Sequence, residues 1–297
     1  MEDDAPAVYF DTCRGGSEAK TRPTFDYHAS GVQGVGVVAH PVFVWAVEWP
    51  IIWSRGGDMM KPNPAQGERG LTNSERSRGV HFAQDIVIHR PICAGDTLKT
   101  TAQTVSVKAA AKGASSVSTT RFDHHDHSGN LVCSTWNTSF YRGVPLEGDG
   151  GTLVEQLPPP LPLRPLLTSK NQPELELEIA VSAVDAHIYS ECSRIWNPIH
   201  TDRAAALAAG LPAIILHGTA VMAKAVSAII RHYGHGDPTA VARCGVGGFG
   251  VMVLMPCKLR LVVAAFAAQI VHFDVFTEGG DTAIRGGIVE FRPQAAL

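Results

Sequence analysis

Two histidine-containing patterns in the C-terminal half have residue types and spacing suited to catalysis. The first is Asn197-Pro198-Ile199-His200, followed by an alanine-rich run that reaches Gly210. Asn is a favoured N-cap and Pro is favoured at the first helical position, so a helix is predicted to begin at Asn197. His200 then falls in the first turn, where the positive end of the helix disfavours the imidazolium form. A neutral imidazole in this position can act as a general base.

The second pattern is His217-Gly218, which stands at the start of an apolar helix predicted over 218–234. Backbone amides at a helix N-terminus bind negative charge, so Gly218 is a candidate donor to an oxyanion that develops during a reaction. Taken alone, Asn197 could simply start a helix, and His217 could be a structural partner. The two patterns together favour a catalytic interpretation.

The elements that would position these residues form two halves. Residues 151–173 contain six prolines, which suits an extended linker better than a helix or a central strand. We therefore predict two halves, over 1–150 and over 174–297. Each half contains a long apolar helix, at 39–57 and at 218–234, followed by segments in which apolar residues alternate. The pattern predicts an α+β fold with antiparallel strands.

Three further segments have patterns that predict their structure. Residues 174–193 are predicted to form a strand. The run FDHHDHSGN at 122–130 contains metal-ligand residue types, but it is predicted to be a solvated polar turn and not a metal site. The run CGVGGFG at 244–250 satisfies a dinucleotide-binding spacing, but a strand pattern and no helix follows it, so nucleotide binding is not expected.

The composition limits the partners and the compartment. A net charge of −3 without a block of Lys or Arg predicts no nucleic-acid partner. The longest apolar stretch, 259–271, is interrupted by Arg260 and Gln269, so no membrane segment is expected. The acidic N-terminus is unlike a signal peptide, the C-terminus lacks a Ser-Lys-Leu ending, and the six cysteines form no Cys-x-x-Cys pair. We expect a cytoplasmic protein without a bound metal.

At the two histidine patterns the chain resembles the MaoC-like, or hydratase 2, family of enoyl-CoA hydratases. The family pattern is roughly Asp-x-Asn-Pro-x-His with a later His-Gly, and the segment VHFAQDIVIHRPICAGD resembles the family's partner half. The resemblance implies a double hot-dog fold in which 1–150 serve structure and substrate binding and 174–297 carry the chemistry. It also implies hydration of an enoyl-CoA to a (3R)-hydroxyacyl product. The CoA thioester is then the substrate, and no cofactor is implied. His200 would be the base, Asn197 would position it or the water, and Gly218 would donate to the thioester oxygen. A homodimer is also an expectation of the resemblance, since closed symmetric pairs are the commonest assembly.

The sequence departs from the family pattern at Ile195, where the family has Asp. Three explanations stay open at this point. Another carboxylate substitutes, with Glu191, Asp185 and Asp202 as candidates; His200 acts alone as base and acid; or the site has lost its activity. We favour the first two, because packing alone does not require the rest of the pattern.

The sequence also bears on which acyl group the CoA thioester carries. The variant around Ile195 and Trp196 is similar to a MaoC-like branch that includes mesaconyl-CoA hydratases. Arg194 is a candidate partner for the free carboxylate of such a dicarboxylic acyl chain. Ile195, Trp196 and His217 are candidate substrate-binding residues. The alternative functions are an acyl-CoA thioesterase and a catalytically silent acyl-CoA-binding protein.

Overall fold

The computed structural model describes residues 38–54, 71–76, 78–110, 113–146, 173–267 and 269–293. The predicted linker lies outside these ranges apart from Pro173, so the proposed division at 150 and 174 stays a prediction. The first half opens with a 3-10 turn at Pro41–Phe43. Its elements are then α1 (Val44–Ser54), α2 (Asn73–Arg76), β1 (Gly79–Ile88), β2 (Lys99–Ala109), β3 (Ser116–His125) and β4 (Leu131–Tyr141).

The second half contains the longer helix and most of the short elements. Two 3-10 turns cover Pro198–His200 and Pro238–Ala240. The remaining elements are β5 (Leu175–Val181), α3 (Asp185–Ser193), α4 (Arg203–Ala208), β6 (Ile215–Leu216), α5 (Gly218–Tyr233), β7 (Val241–Phe249), β8 (Val253–Leu254), β9 (Cys257–Ala267), β10 (Ile270–Thr277) and β11 (Thr282–Phe291).

One antiparallel sheet joins the two halves. Its nine strands follow the order β2-β3-β4-β1-β7-β11-β10-β9-β5, and β6 and β8 pair separately. The first-half strands occupy one end and the second-half strands the other, and the halves meet where β1 pairs with β7. Helices α1 and α5 contribute buried residues to one apolar core together with the strands. The predicted α+β double hot-dog fold is confirmed.

The seam between β1 and β7 is held by a buried ion pair. The Arg243 guanidinium donates to both carboxylate oxygens of Asp85, at 2.9 Å from Nε and 2.6 Å from Nη2. On the same pair of strands, a Cβ added to Gly245 would lie 2.9 Å from the Gln84 carbonyl oxygen. Close strand approach therefore explains this glycine, and residues 244–249 belong to β7.

The predicted strand over 174–193 is wrong in its second part, which is helix α3. The strand alternation ends at Val181, and the Ser182 amide then donates to Asp185 Oδ2 at 3.0 Å, which starts the helix. Besides Asp185, the buried residues of α3 recur at helical spacing and are Ala186, Tyr189, Ser190 and Ser193. The last three lie three, four and seven residues after Ala186, as one face of a helix requires, so the strand prediction fails here.

The interpretation of residues 122–130 as a solvated turn is also wrong in part. Strand β3 continues to His125, and His124 is completely buried. Its Nε2 lies 3.1 Å from Glu48 Oε1 on α1, and its Nδ1 lies 2.9 Å from Thr100 Oγ1. Only 126–130 form the turn, where the Asp126 carboxylate accepts from the amides of Ser128 and Asn130. Within the described residues no cluster of three metal-ligating side chains occurs.

Among the described residues, no helix combines the length and the apolar character that crossing a bilayer requires.

Candidate active site

His200 is presented at the end of a short turn with one nitrogen committed. Asn197 caps the turn, since its side-chain oxygen accepts from the Ile199 amide at 3.3 Å. The His200 Nδ1 lies 2.8 Å from the carbonyl oxygen of Ile215. A carbonyl oxygen can only accept, so Nδ1 carries the hydrogen and Nε2 keeps its lone pair. His200 is therefore held in the tautomer that a general base needs at Nε2.

The neutral form of His200 is favoured by burial. Only 9% of the residue is exposed, and burial lowers its pKa, while the bond to Ile215 opposes the shift. The sequence predicted neutrality from the positive end of one continuous helix. That expectation is wrong in its cause, because the chain forms a 3-10 turn at Pro198–His200 and helix α4 begins only at Arg203.

His217 lies directly against His200. The two rings stack with centroids 3.6 Å apart and planes inclined by 23°. The His217 Nε2 lies 3.3 Å from the Ile195 carbonyl oxygen and 3.4 Å from Ser190 Oγ. Burial, and next the neighbouring His200, hold the pKa of His217 well below its usual value. The structure thus brings the two predicted histidine patterns into one site.

Gly218 is the first residue of α5, and His217 is the N-cap. The first amides of a helix have no acceptor inside the helix, so the Gly218 amide is available to a ligand. A Cβ on Gly218 would lie 2.9 Å from Phe249 Cδ1, which explains the absence of a side chain here. The first half has the same arrangement at His40, also an N-cap, but Pro41 follows it. Proline has no amide hydrogen, so that helix start offers no equivalent donor.

The predicted substrate-binding residues at 194–196 differ in their exposure to solvent. Ile195 is buried in the apolar core and faces His217 through its backbone carbonyl. Trp196 is 47% exposed. Arg194 is exposed and ends α3 in the left-handed conformation, with φ of 60°. The segment therefore presents an arginine and an indole to solvent, and buries the apolar side chain of Ile195.

The three candidate substitute acids have other surroundings. Glu191 is exposed on α3. Asp202 is the N-cap of α4, where Oδ1 accepts from the amides of Ala204 and Ala205 at 2.7 Å and 3.1 Å. Asp185 is buried and forms an ion pair with Lys224. In the structure, Asp202 therefore caps α4 and Asp185 forms an ion pair.

Sequence reasoning missed residues that position the site. Ser190 and Tyr189 lie on the misassigned helix α3, and the Tyr189 ring centroid is 5.0 Å from that of His217. Lys224 was also missed, although a single lysine within an otherwise apolar helix is a detectable signal. Its Nζ lies 3.1 Å from Asp185 Oδ2 and 3.1 Å from the Ala180 carbonyl oxygen. The pair fastens the start of α3 to α5, the two helices that flank His217.

This buried pair gives a stability prediction. Replacing Lys224 with Met leaves the Asp185 carboxylate buried without its cation, so we expect the free energy of unfolding to fall by about 3–5 kcal/mol. The double variant Asp185→Asn, Lys224→Met removes both charges and is expected to recover most of the loss. Urea unfolding of the three proteins measures both values. A loss below about 1 kcal/mol in the single variant would contradict this role of the pair.

A family model matches the part of the chain that contains these residues. Residues 167–285 match the family model described as MaoC like domain. The chain contains a MaoC-like domain. The domain includes His200, His217 and Gly218, so the whole candidate site lies within the matched residues.

Similar proteins extend the likeness beyond the MaoC-like domain. Peroxisomal multifunctional enzyme type 2 of Drosophila melanogaster is 27% identical over 185 residues, 62% of this chain and 30% of the fly protein. Enoyl-CoA hydratase 2, peroxisomal, of Arabidopsis thaliana is 30% identical over 168 residues, 54% of this chain and 52% of the plant protein. The chain thus spans about half or less of these curated relatives. The crystal structure of a MaoC-like dehydratase from Phytophthora capsici has a TM-score of 0.73 at 22% identity. The superposition covers 99% of this chain and 94% of the Phytophthora capsici chain, which shows a common fold.

Proposed function

We propose that this protein is a hydro-lyase that adds water reversibly across the 2,3 double bond of an enoyl-CoA thioester. The observation that carries the proposal is the orientation of His200. Its Nδ1 bonds to the Ile215 carbonyl oxygen, which leaves Nε2 as the basic nitrogen. Its ring stacks on His217, the residue that precedes α5. The name of the Arabidopsis thaliana relative, enoyl-CoA hydratase 2, supports the same reaction.

The proposed mechanism uses groups of the MaoC-like domain only. The Gly218 amide binds the thioester oxygen and stabilises the negative charge that develops there. His200 Nε2 takes a proton from water as the oxygen bonds to C3. The electron pair of the double bond moves toward C2, and the resulting enolate takes the proton back from His200. Asn197 holds the turn that presents His200. The product is a 3-hydroxyacyl-CoA, for which the family resemblance suggests the (3R) configuration.

For the acyl chain we propose a branched or dicarboxylic group such as mesaconyl. Arg194 supports this choice because it is exposed beside Ile195 and can pair with a free carboxylate. Hydration of crotonyl-CoA as fast as mesaconyl-CoA would contradict the role of Arg194. Coupling the product to dehydrogenases specific for (3R)- or (3S)-hydroxyacyl-CoA tests the configuration.

A second candidate function has one observation in its favour. Ile195 contributes an apolar side chain at the position of the family's acid. A catalytically silent acyl-CoA-binding protein would need no carboxylate there.

The deciding experiment follows the absorbance of the conjugated enoyl thioester after the protein is added to crotonyl-CoA and to mesaconyl-CoA. Free thiol is measured in the same samples. Loss of absorbance without thiol release is expected for the hydratase. Thiol release would identify a thioesterase, and binding of both substrates without turnover would favour the silent binding protein.

A further inference from the structure

The Phe249 ring lies beside Gly218, the proposed donor to the thioester oxygen. A Cβ built on Gly218 would lie 2.9 Å from Cδ1, 3.2 Å from Cγ and 3.3 Å from Cε1 of this ring. The Cα–Cβ bonds of a helix tilt toward its N-terminus, so the ring lies at the end of α5 that the Gly218 amide faces. Phe249 is only partly buried, so part of its surface can contact a ligand.

Two aromatic rings of the first half continue from Phe249. The ring centroid of His81 on β1 lies 4.9 Å from that of Phe249. Trp45 on α1 lies beyond His81, edge to face, with the centroids 6.3 Å apart and the planes at 85°. Trp45 is 4% exposed and belongs to the apolar core, so its movement would disrupt the packing of the first half. The three rings therefore extend from the start of α5 into the first half.

His81 is held in place from the seam between the halves. Its Nε2 lies 3.0 Å from Gln84 Oε1, and the Gln84 amide nitrogen donates to the carbonyl oxygen of Asp85 at 3.3 Å. Asp85 in turn forms the buried ion pair with Arg243. Burial lowers the pKa of His81 to about 4, although its hydrogen bonds oppose the shift, so the ring is neutral at pH 7. Phe249 thus packs against an uncharged ring that the seam holds.

We propose that Phe249, backed by His81 and Trp45, is the end wall of the acyl-binding site and restricts the enzyme to short acyl chains such as crotonyl and mesaconyl. The inference rests on the proposed hydratase function, in which Gly218 holds the thioester oxygen. The acyl chain begins at the carbon that carries this oxygen, so a ring in contact with Gly218 borders the first atoms of the chain. A long chain directed into the first half would have to displace three packed rings.

The first test compares chain lengths in the wild type. Crotonyl-CoA and trans-2-decenoyl-CoA have the same reacting atoms and differ only in the length of the acyl chain. One methylene in an apolar pocket changes kcat/KM by about 10-fold or more, so we expect crotonyl-CoA to be preferred by at least about 10²-fold. Equal kcat/KM values would overturn the proposal and leave the hydratase function intact.

The second test removes the wall. In Phe249→Ala we expect kcat/KM to rise by about 10–10²-fold for decenoyl-CoA and to fall for crotonyl-CoA, because the short chain loses its contact with the ring. Phe249→Leu keeps a larger apolar side chain, and its preference should lie between those of the wild type and Phe249→Ala.

Phe82→Ala is the matched control. It also removes one phenyl ring, but the Phe82 ring packs against Phe140 and lies under the Arg285 guanidinium. Its chain-length preference should equal that of the wild type. If thermal unfolding shows that Phe249→Ala or Phe249→Leu is folded and the wild-type preference is unchanged, Phe249 does not limit the chain.

Binding of saturated analogues separates this inference from the reaction. Butyryl-CoA and decanoyl-CoA have no double bond, so isothermal titration measures their Kd values without hydration. We expect the wild type to bind butyryl-CoA more tightly, and Phe249→Ala to lose or reverse this preference. Tighter binding of decanoyl-CoA by the wild type would overturn the proposal. A wild type that hydrates neither enoyl thioester would contradict the proposed function, and the two Kd values would still decide whether Phe249 limits the chain.

Discussion

The variant His200→Asn is expected to lose about 10²–10⁴-fold in kcat for enoyl-CoA hydration. Asn can place its amide nitrogen where Nδ1 now donates to the Ile215 carbonyl oxygen at 2.8 Å, so the local hydrogen bond is kept. It has no group at the position of Nε2, so the proton acceptor is lost. The free energy of unfolding should change by no more than about 1–2 kcal/mol. Steady-state kinetics and urea unfolding measure the two quantities.

The pH profile of the wild type provides a second measurement of the same group. A general base is active when it is unprotonated, so kcat/KM falls as pH falls through the pKa of His200. Because burial lowers that pKa from 6.5, the decline should occur below pH 6.5. His217 has a pKa lowered further by burial and by His200, so it stays neutral across this decline. A midpoint above 6.5, or an unchanged rate in His200→Asn, would contradict the role of His200 as base.

Local patterns predicted the parts of the site that depend on neighbouring residues. Asn197 caps the turn it was expected to cap, and α5 begins at Gly218, because capping and helix starts depend on a few adjacent residues. The two-half organisation also follows from repeated local patterns. The order of nine strands requires pairings between distant segments, and these are visible only in the structure.

The features that determine the chemistry depend on distant contacts. The tautomer of His200 is set by the carbonyl of Ile215, fifteen residues further along the chain. The stacking of His200 on His217 required helix α3 and the loop after it to fold back on α5, and α3 was mistaken for a strand. The Asp185–Lys224 pair spans the same two helices. A sequence pattern can identify the residue types at such a site, but not the atom that each side chain faces.

The variant Gly218→Pro is expected to lower kcat by about 10²–10³-fold relative to Gly218→Ala, because it deletes one donor to the oxyanion. Proline is well accepted at the first position of a helix, and Pro41 occupies that place after His40 in the first half. Both substitutions add a Cβ that would lie 2.9 Å from Phe249 Cδ1, so both displace this ring. The ratio of their rates therefore isolates the amide hydrogen from the steric effect.

The comparison of Gly218→Pro with Gly218→Ala also tests whether each chain has a single active site. Pro41 removes the amide from the matching helix start in the first half, so the Gly218 amide has no counterpart there that could take over its role. Gly218→Pro should then abolish nearly all turnover, while substrate binding followed by isothermal titration stays measurable. Equal rates for the Pro and Ala variants would place the thioester oxygen on another donor and remove Gly218 from the mechanism.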